Sequence, residues 1–115
     1  MGLRRGEIFL ISLDPVIGSE TGKTRPAIIV QNNLANKSSP TVTVIPLTSN
    51  IGRCYPFQVF LPASETGLSK DSKALCEQIR TVARERIVGE RLGEVPGHLL
   101  LLVRSALERH LWFSG

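Results

Sequence analysis

The sequence is poor in the residues that build metal centres and disulfide frameworks. Its 115 residues include two cysteines, Cys54 and Cys76, and two histidines, His98 and His110. Two thiols cannot form a disulfide framework, and neither pair has the spacing of metal ligands. We therefore predict two free thiols, with Cys76 buried in a strand, and no metal or cofactor.

Long apolar runs are also missing. No run approaches the ~20 residues that a membrane-spanning helix needs. Residues 1–6 lead into a strand-like segment that holds Glu7 and Ser12, which makes them a poor secretion signal. We expect a cytoplasmic protein with no membrane segment, folded as a single domain over residues 1–115.

Acidic residues are fewer than basic ones. Lysine and arginine number 14, aspartate and glutamate 10, and the net charge is +4. The basic excess is +3 over residues 1–60 and +1 over residues 61–115. Such an excess agrees with a polyanionic partner without identifying it.

Short β-branched and aromatic runs separated by turn formers predict a mostly antiparallel β protein. The predicted strands are 7–13, 26–32, 41–47, 57–61 and 87–95, with one bent strand or two short ones within 71–82. The polar segments 32–40, 48–53 and 62–70 are predicted as loops, and 83–86 as a helical turn. The fold class is all-β or α+β, either a small barrel or a curled sheet.

One helix is predicted after Pro96 and Gly97, at the C-terminal end of the chain. Apolar side chains at three- and four-residue spacing form one stripe, made of Leu99, Leu100, Val103, Ala106, Leu107 and Leu111 with His110. The stripe is either part of the core or a partner-binding face. Trp112 and Phe113 would mark an interface if both were exposed.

Residues 18–26, with the sequence GSETGKTRP, connect two of the predicted strands and should form the loop between them. Gly18 and Gly22 permit backbone angles that other residues resist, and Pro26 favours an extended Arg25. A polar loop pinned at one end can hold a charged group where a sheet begins. Such a loop suits phosphate binding.

Thr48 ends the strand that starts at residue 41, so it can face this loop across a neighbouring strand. A guanidinium, a hydroxyl and a carboxylate would then converge, a combination that suits phosphoryl chemistry on RNA. Arg25 can donate two parallel hydrogen bonds to a phosphate, and Thr48 one more. Glu20 either accepts the proton of the ribose 2′-hydroxyl, if it is buried, or forms an ion pair with Lys23 or Arg25.

The chain resembles the MazF/PemK-type toxin endoribonucleases of type II toxin–antitoxin systems. The resemblance rests on four stretches in the family's order and spacing: 5–8 (RGEI), 18–26, 39–49 (SPTV to PLTS) and 71–81 (DS with EQIRT). It runs from about Arg4 to the terminal helix.

The resemblance implies a CcdB/PemK-like fold, which is a small SH3-like antiparallel barrel with a C-terminal helix, assembled as a homodimer. It also implies metal-independent cleavage of single-stranded RNA (mRNA, rRNA or tRNA) at a short sequence. The products would be a 2′,3′-cyclic phosphate and a 5′-hydroxyl. A cognate MazE-like antitoxin would lay an acidic, partly disordered tail along the basic groove and compete with RNA.

By position, the resemblance makes Arg25 and Thr48 the catalytic pair and gives Glu20 a supporting or base role. The predicted RNA-binding residues are Ser19, Gly22, Lys23, Ser49, Asn50, Arg53, Tyr55, Gln78 and Arg80. Tyr55 either offers a stacking platform to a base or packs beside Pro56. No role is assigned to the histidines.

Two other functions fit the same sequence less well. CcdB-like relatives poison DNA gyrase by contact, without cutting nucleic acid. A plain basic RNA-binding barrel would not need Glu20 close to Arg25 in a cationic loop. Arg25 and Thr48 occur at the expected sequence spacing from the other motifs of the resemblance, and this favours the nuclease.

Overall fold

The computed structural model describes residues 2–112 and contains seven antiparallel strands, followed by a C-terminal helix. The strands are β1 (Glu7–Ser12), β2 (Thr24–Ile29), β3 (Thr41–Thr48), β4 (Gln58–Leu61), β5 (Ser72–Leu75), β6 (Arg80–Ala83) and β7 (Ile87–Glu94). The helices are α1 (Asn33–Ser38), α2 (Ala63–Thr66) and α3 (Gly97–Leu111), and single 3-10 turns lie at Cys76–Gln78 and Arg84–Arg86.

The strand order is β4-β5-β3-β2-β1-β7, and β6 also pairs with β3. The long strand β3 pairs with β6 along its first half and with β5 at its end, while β2 lies along its other side. Within residues 2–112, β4 and β7 do not pair, so the sheet is open. The predicted mostly-β class with a terminal helix is confirmed, with an open sheet in place of a closed barrel.

Apolar side chains fill both faces of the central strands. Because successive side chains in a strand point to opposite faces, the apolar side chains of β1, β2 and β3 contribute to two separate clusters. One cluster includes Ile8, Ile28, Ile45, Leu47, Leu61 and, from α3, Leu99, Val103 and Ala106. The other includes Phe9, Ile11, Leu13, Ala27, Ile29, Val42 and Val44. The prediction of strands covered on both faces is confirmed for β1 and for residues 27–29 of β2. The predicted continuation of β2 to Asn32 was wrong, because the strand ends at Ile29 and Asn32 caps helix α1.

Strand β2 begins two residues earlier than predicted. Thr24 pairs with Ser12 and Arg25 with Ile11, and the Leu13 amide donates to the Lys23 carbonyl at 2.9 Å. The hairpin with β1 therefore continues past Pro26, and Arg25 is a strand residue. The loop prediction for Arg25 was wrong, because cross-strand pairing outweighed the polar character of the segment.

The predicted loop at 32–40 contains helix α1. The Asn32 side chain accepts a hydrogen bond from the Ala35 amide at 2.9 Å and caps the helix. Asn36 is buried, and its Nδ2 donates to the Gln31 carbonyl at 3.0 Å. Asparagine favours turns over helix interiors, and the sequence pattern therefore predicted a loop. The helix forms because capping and tertiary hydrogen bonds stabilise it.

The predicted loop at 62–70 contains the short helix α2. The Asp71 carboxylate accepts from the Ala63 amide at 2.8 Å, and Gly67 ends the helix with φ 82°. The backbone of Thr66 lies so close to Gly93 of β7 that a Cβ there would collide with the Thr66 carbonyl. Gly93 therefore allows α2 to sit against the sheet.

The segment 71–82 forms two short strands with a 3-10 turn between them. Cys76 lies in that turn, so its predicted place in a strand was wrong, although its burial is confirmed. Burial, followed by the nearby charge of Glu77 and then Cys54, raises the Cys76 pKa from 9.0 to about 12. Cys54 is a free, exposed thiol.

Helix α3 is confirmed, and the buried members of its stripe are Leu99, Val103 and Ala106. Of the two interpretations of the stripe, their burial supports the first, in which it is part of the core. Trp112 is 82% exposed, while Phe113 lies outside the described residues. No helix within residues 2–112 has the length and apolar character to cross a membrane.

Candidate functional site

The predicted catalytic pair lies at one end of the two central strands. Strand β2 pairs with β3 at Ala27–Pro46, and the same register continued outward by two residues sets Arg25 opposite Thr48. Residues directly opposite in an antiparallel pair have Cβ atoms ~4.5–5.5 Å apart. The register of the two strands thus places Arg25 and Thr48 at the same end of neighbouring strands.

Both side chains line one open cleft with a volume of about 580 Å³. Its polar and charged lining residues are Arg25, Thr48, Ser49, Ser69, Lys70 and Ser72. Its apolar lining residues are Pro26, Leu47, Leu68 and Leu92. Because no carboxylate of the described chain lines the cleft, it suits an anionic ligand. Residues 2–112 contain no group of three or more His, Cys, Asp or Glu side chains placed to hold a metal ion.

The Arg25 side chain is half-buried and held at one edge. Its Nε donates to the Gly22 carbonyl at 3.0 Å, which leaves the two terminal NH₂ groups of the guanidinium for a ligand. Those two groups match the spacing of two phosphate oxygens. Arg25 is therefore oriented before any ligand arrives.

Gly22 and Lys23 shape the end of the β1–β2 loop, which we define as residues 13–23. A Cβ on Gly22 would collide with the Asp14 carboxylate and approach Val16 Cγ2 to 2.9 Å. Lys23 has φ 65°, and its amide donates to Asp14 Oδ1 at 2.8 Å. The side chains of Asp14 and Val16 thus pack closely against Gly22 within the loop.

Two predicted RNA-binding residues contact this loop. Gln78 Oε1 accepts from the Thr21 amide at 3.2 Å, and Arg80 Nη1 donates to the Leu13 carbonyl at 3.1 Å. Both side chains are half-buried. Their contacts hold the loop against the 3-10 turn and β6.

Arg86 holds the root of the same loop, and the sequence interpretation missed it. Its Nη1 donates to the Ser12 carbonyl at 3.0 Å and contacts the Asp14 carbonyl. The first of these partners is 74 residues away in the chain. No local pattern indicates such a contact.

Glu20 does not join Arg25 and Thr48. It is exposed on the β1–β2 loop, where Oε1 accepts from the Ile17 amide at 2.7 Å. Among the residues that the structure describes, neither Lys23 nor Arg25 forms an ion pair with it. The burial required by the base hypothesis is absent. Ser19 is exposed on the same loop, outside the cleft lining.

The β3–β4 loop, residues 49–57, carries the remaining predicted RNA-binding residues. The Asn50 amide donates to Thr48 Oγ1 at 3.1 Å, and the buried Lys73 ammonium donates to the Arg53 carbonyl. Ser49 lines the cleft directly. The loop is therefore attached to the sheet at both its start and its middle.

Tyr55 stacks on a ring that the sequence interpretation did not consider. Its ring lies parallel to that of Phe57, with centroids 5.4 Å apart, and the Arg53 guanidinium lies 4.8 Å from its centroid. The predicted neighbour for packing was Pro56. Arg53 and Tyr55 thus form a stacked pair at the loop surface.

The open antiparallel sheet and the terminal helix define a small β protein with a cationic, hydroxyl-lined cleft at its strand ends. The sequence profile of the family described as "PemK-like, MazF-like toxin of type II toxin-antitoxin system" matches residues 4–111. The chain belongs to this family.

Individual relatives cover nearly the whole chain. It is 46% identical over 114 residues to endoribonuclease MazF9 of Mycobacterium tuberculosis, covering 95% of this chain and 96% of the relative. The structure matches MazF from Deinococcus radiodurans with a TM-score of 0.83 and 30% identity, covering 97% and 98% of the two chains. It also matches a chain of the MazE–MazF structure from that organism, with a TM-score of 0.78, 30% identity and 99% of both chains covered.

Proposed function

We propose that this chain is a toxin endoribonuclease that cleaves single-stranded RNA at a short, specific sequence. The endoribonuclease activity is supported by family membership and by the similarity to endoribonuclease MazF9. The observation that carries the finer proposal is the shared cleft of Arg25 and Thr48. We place the activity in the cytoplasm, where single-stranded RNA is abundant.

The proposed reaction is an attack by the ribose 2′-oxygen on the adjacent phosphorus. The 2′-O–P bond forms while the P–O5′ bond breaks, and the 2′-hydroxyl proton is lost as the 5′-oxygen gains one. The products are a 2′,3′-cyclic phosphate and a 5′-hydroxyl, and the step consumes no water, metal ion or cofactor. What the protein must supply is stabilisation of negative charge on the non-bridging oxygens.

Arg25 and Thr48 are suited to that stabilisation. The free NH₂ groups of Arg25 would donate two hydrogen bonds to the non-bridging oxygens. Thr48 Oγ1 already accepts from the Asn50 amide, so its own O–H remains available as a third donor. Preorganised donors of this kind each contribute ~10²–10³ in rate.

We propose a supporting role for Glu20. Its carboxylate accepts the Ile17 amide and so stabilises the fold of the β1–β2 loop, which also carries the Gly22 carbonyl that orients Arg25. The exposed position argues against the proton-accepting role. Glu20 thereby acts through the loop and not on the phosphorus.

We propose that the two loops beside the cleft bind the bases. The β1–β2 loop offers Ser19, Gly22 and Lys23, and the β3–β4 loop offers Ser49, Asn50, Arg53 and Tyr55. Gln78 and Arg80 support the first of these loops and complete the proposed RNA surface. Single-stranded RNA suits such a surface, because unpaired bases can splay out to meet loops and aromatic rings.

We further propose a homodimer that is neutralised by a cognate antitoxin with an acidic tail. A solved relative from D. radiodurans contains MazE and MazF together. A cleft lined by Arg25 and Lys70 and by no carboxylate of the described chain would attract an acidic segment as well as RNA. The antitoxin would then inhibit by competition.

The test is incubation of the purified protein with a long single-stranded RNA in excess EDTA, followed by mapping of the cleaved ends. We expect discrete fragments that share a short sequence and carry 5′-hydroxyl and cyclic phosphate ends. Intact RNA in every sequence context, or full activity after Arg25→Ala, would contradict the proposal. Inhibition of DNA gyrase without RNA cleavage would support the CcdB-like alternative instead.

A further inference from the structure

We infer that Lys70 forms a second anion subsite in the cleft, which binds the RNA phosphate next to the one held by Arg25 and Thr48. This inference rests on the proposed function and adds a binding residue to it. Lys70 lines the same cleft as the proposed catalytic pair, whereas the sequence interpretation placed it at the end of the predicted loop 62–70 and gave it no role.

The segment that carries Lys70 is firmly held. Residues 67–70 follow α2 and line the cleft together with the ends of β2 and β3. The Leu68 amide donates to Thr66 Oγ1 at 3.2 Å, and Ser72 Oγ donates to the Lys70 carbonyl at 3.3 Å. The backbone at Lys70 is thus fixed on both sides, while its own side chain is exposed.

The nearest carboxylate in sequence does not neutralise Lys70. Asp71 accepts from the Ala63 amide at 2.8 Å and does not line the cleft. Among residues 2–112, Lys70 forms no ion pair within 4.0 Å. Two cations, Arg25 and Lys70, therefore share one cleft that an anion with more than one charged group would fill favourably.

The chemistry of the two cations assigns them different phosphates. Arg25 is half-buried and oriented, with a planar fork suited to the two non-bridging oxygens of one phosphate. Lys70 is an exposed point charge on a flexible stem, which is suited to ground-state binding. Because each nucleotide of a single strand carries one phosphate charge, a neighbouring phosphate is the natural ligand. Lys70 should lower KM without raising kcat.

The experiment uses the full-length protein and an RNA oligonucleotide that contains the mapped cleavage sequence. A 2′-O-methyl group on the ribose that supplies the attacking 2′-oxygen blocks cleavage, so that Kd can be measured as a function of salt concentration. We expect Lys70→Gln to weaken binding about five-fold at low salt and to reduce the slope of log Kd against log salt by about 0.7. On the unmodified oligonucleotide, KM should rise while kcat stays within about two-fold.

Two variants serve as controls. Lys70→Arg keeps the charge and should retain binding and slope. Lys37→Gln removes an equally exposed lysine from α1, which lies at the opposite ends of β2 and β3, and should behave as the wild type. Thermal unfolding of each variant checks that the fold is intact.

The outcomes separate the subsite from the nuclease itself. Lys70→Gln with unchanged Kd and slope, or with a loss confined to kcat, would overturn the subsite while leaving the nuclease in place. If Lys70→Gln does not fold, Lys70→Arg provides the test. A Lys70→Arg variant with wild-type stability but a reduced slope of log Kd against log salt would also contradict the subsite. Failure of the wild type to cleave any RNA would overturn both proposals.

Discussion

Arg25 donates through Nε to the Gly22 carbonyl, so one edge of its guanidinium is held by the protein and the other is free. A lysine at this position would keep the charge and lose both the anchoring bond and the fork. Thr48 likewise accepts one bond from the backbone and keeps its own proton to donate. At the scale of single residues, the site depends on the direction of its hydrogen bonds as much as on its charge.

The first prediction concerns that fork. Arg25→Lys should lower kcat about 10²-fold, since two oriented donors become one mobile ammonium. Arg104→Lys, on the exposed part of α3 beside Glu108, is the matched control and should leave cleavage unchanged. Single-turnover cleavage of a labelled oligonucleotide measures both variants. Near wild-type rates for Arg25→Lys would show that charge alone is sufficient.

The second prediction separates the two roles considered for Glu20. Glu20→Gln keeps an oxygen that accepts the Ile17 amide, so cleavage should stay close to the wild-type rate with the same pH profile. Glu20→Ala loses that bond, worth about 1 kcal/mol, and should slow cleavage about five-fold through the loop. A 10²-fold loss in Glu20→Gln, with an altered pH profile, would instead identify Glu20 as the base.

The third prediction concerns the thiols. Burial raises the Cys76 pKa to about 12 from 9.0. An unfolded chain, with the ordinary thiol pKa, ionises first as the pH rises above 9, so stability should fall between pH 9 and 12. Urea unfolding at several pH values should show a smaller decline for Cys76→Ala than for the wild type. The free energy of unfolding of Cys54→Ser should decline with pH as it does in the wild type.

Thiol labelling offers a direct check on the same assignment. In the native protein at pH 8, only Cys54 should react quickly with iodoacetamide, because it alone is exposed. Both thiols should react in denaturant. Rapid labelling of Cys76 in the native state would mean that the 3-10 turn opens readily.

At the scale of elements, the strands were predictable and several connections were not. Runs such as 7–13 and 57–61 show β-branched and aromatic residues whose burial requires little knowledge of the rest of the fold. Helix α1 escaped prediction because its stability comes from the Asn32 cap and from bonds made by the buried Asn36. The proximity of Arg25 and Thr48 was predicted from their places at strand ends, and their proposed role from the family resemblance. The places of Lys70 and Arg86 depend on contacts between distant segments.

The fourth prediction concerns the packing of α2 on β7. Gly93→Ala places a Cβ against the Thr66 carbonyl, and this backbone contact cannot be relieved by a side-chain rotation. We expect a loss of about 1–3 kcal/mol in the free energy of unfolding. Gly97→Ala, at the first residue of α3 with open space around it, should be neutral or stabilising. Urea midpoints compare the two. Equal midpoints would mean that α2 moves away at little cost.

At the scale of the whole molecule, one sheet joins the two buried clusters, and β3 links its parts. Strand β3 contacts β2, β5 and β6, so loss of its pairing would disturb both faces at once. Such shared packing favours cooperative unfolding, and we propose that residues 1–115 act as a single domain. Trp112 at the end of α3 is exposed, so we propose that it contributes an aromatic contact to the interface of the homodimer.

The fifth prediction follows from that cooperativity. Far-UV circular dichroism and calorimetry should report one coincident thermal transition. If the protein is a homodimer, the midpoint should rise with protein concentration, because association stabilises only the folded state. Two separate transitions would contradict the single domain. A midpoint independent of concentration would count against the dimer.

The pairing of β2 with β3 has an evolutionary consequence. Arg25 and Thr48, the proposed catalytic residues, lie at the same end of two neighbouring strands, so their backbone positions do not depend on the length of the loops at that edge. In the proposed nuclease, substrate preference could then change by remodelling residues 13–21 and 51–57, as long as the Gly22 carbonyl and the Asn50 amide that contact Arg25 and Thr48 are kept. Proteins with this arrangement and the proposed activity could therefore vary the bases that they recognise while keeping one cleavage chemistry.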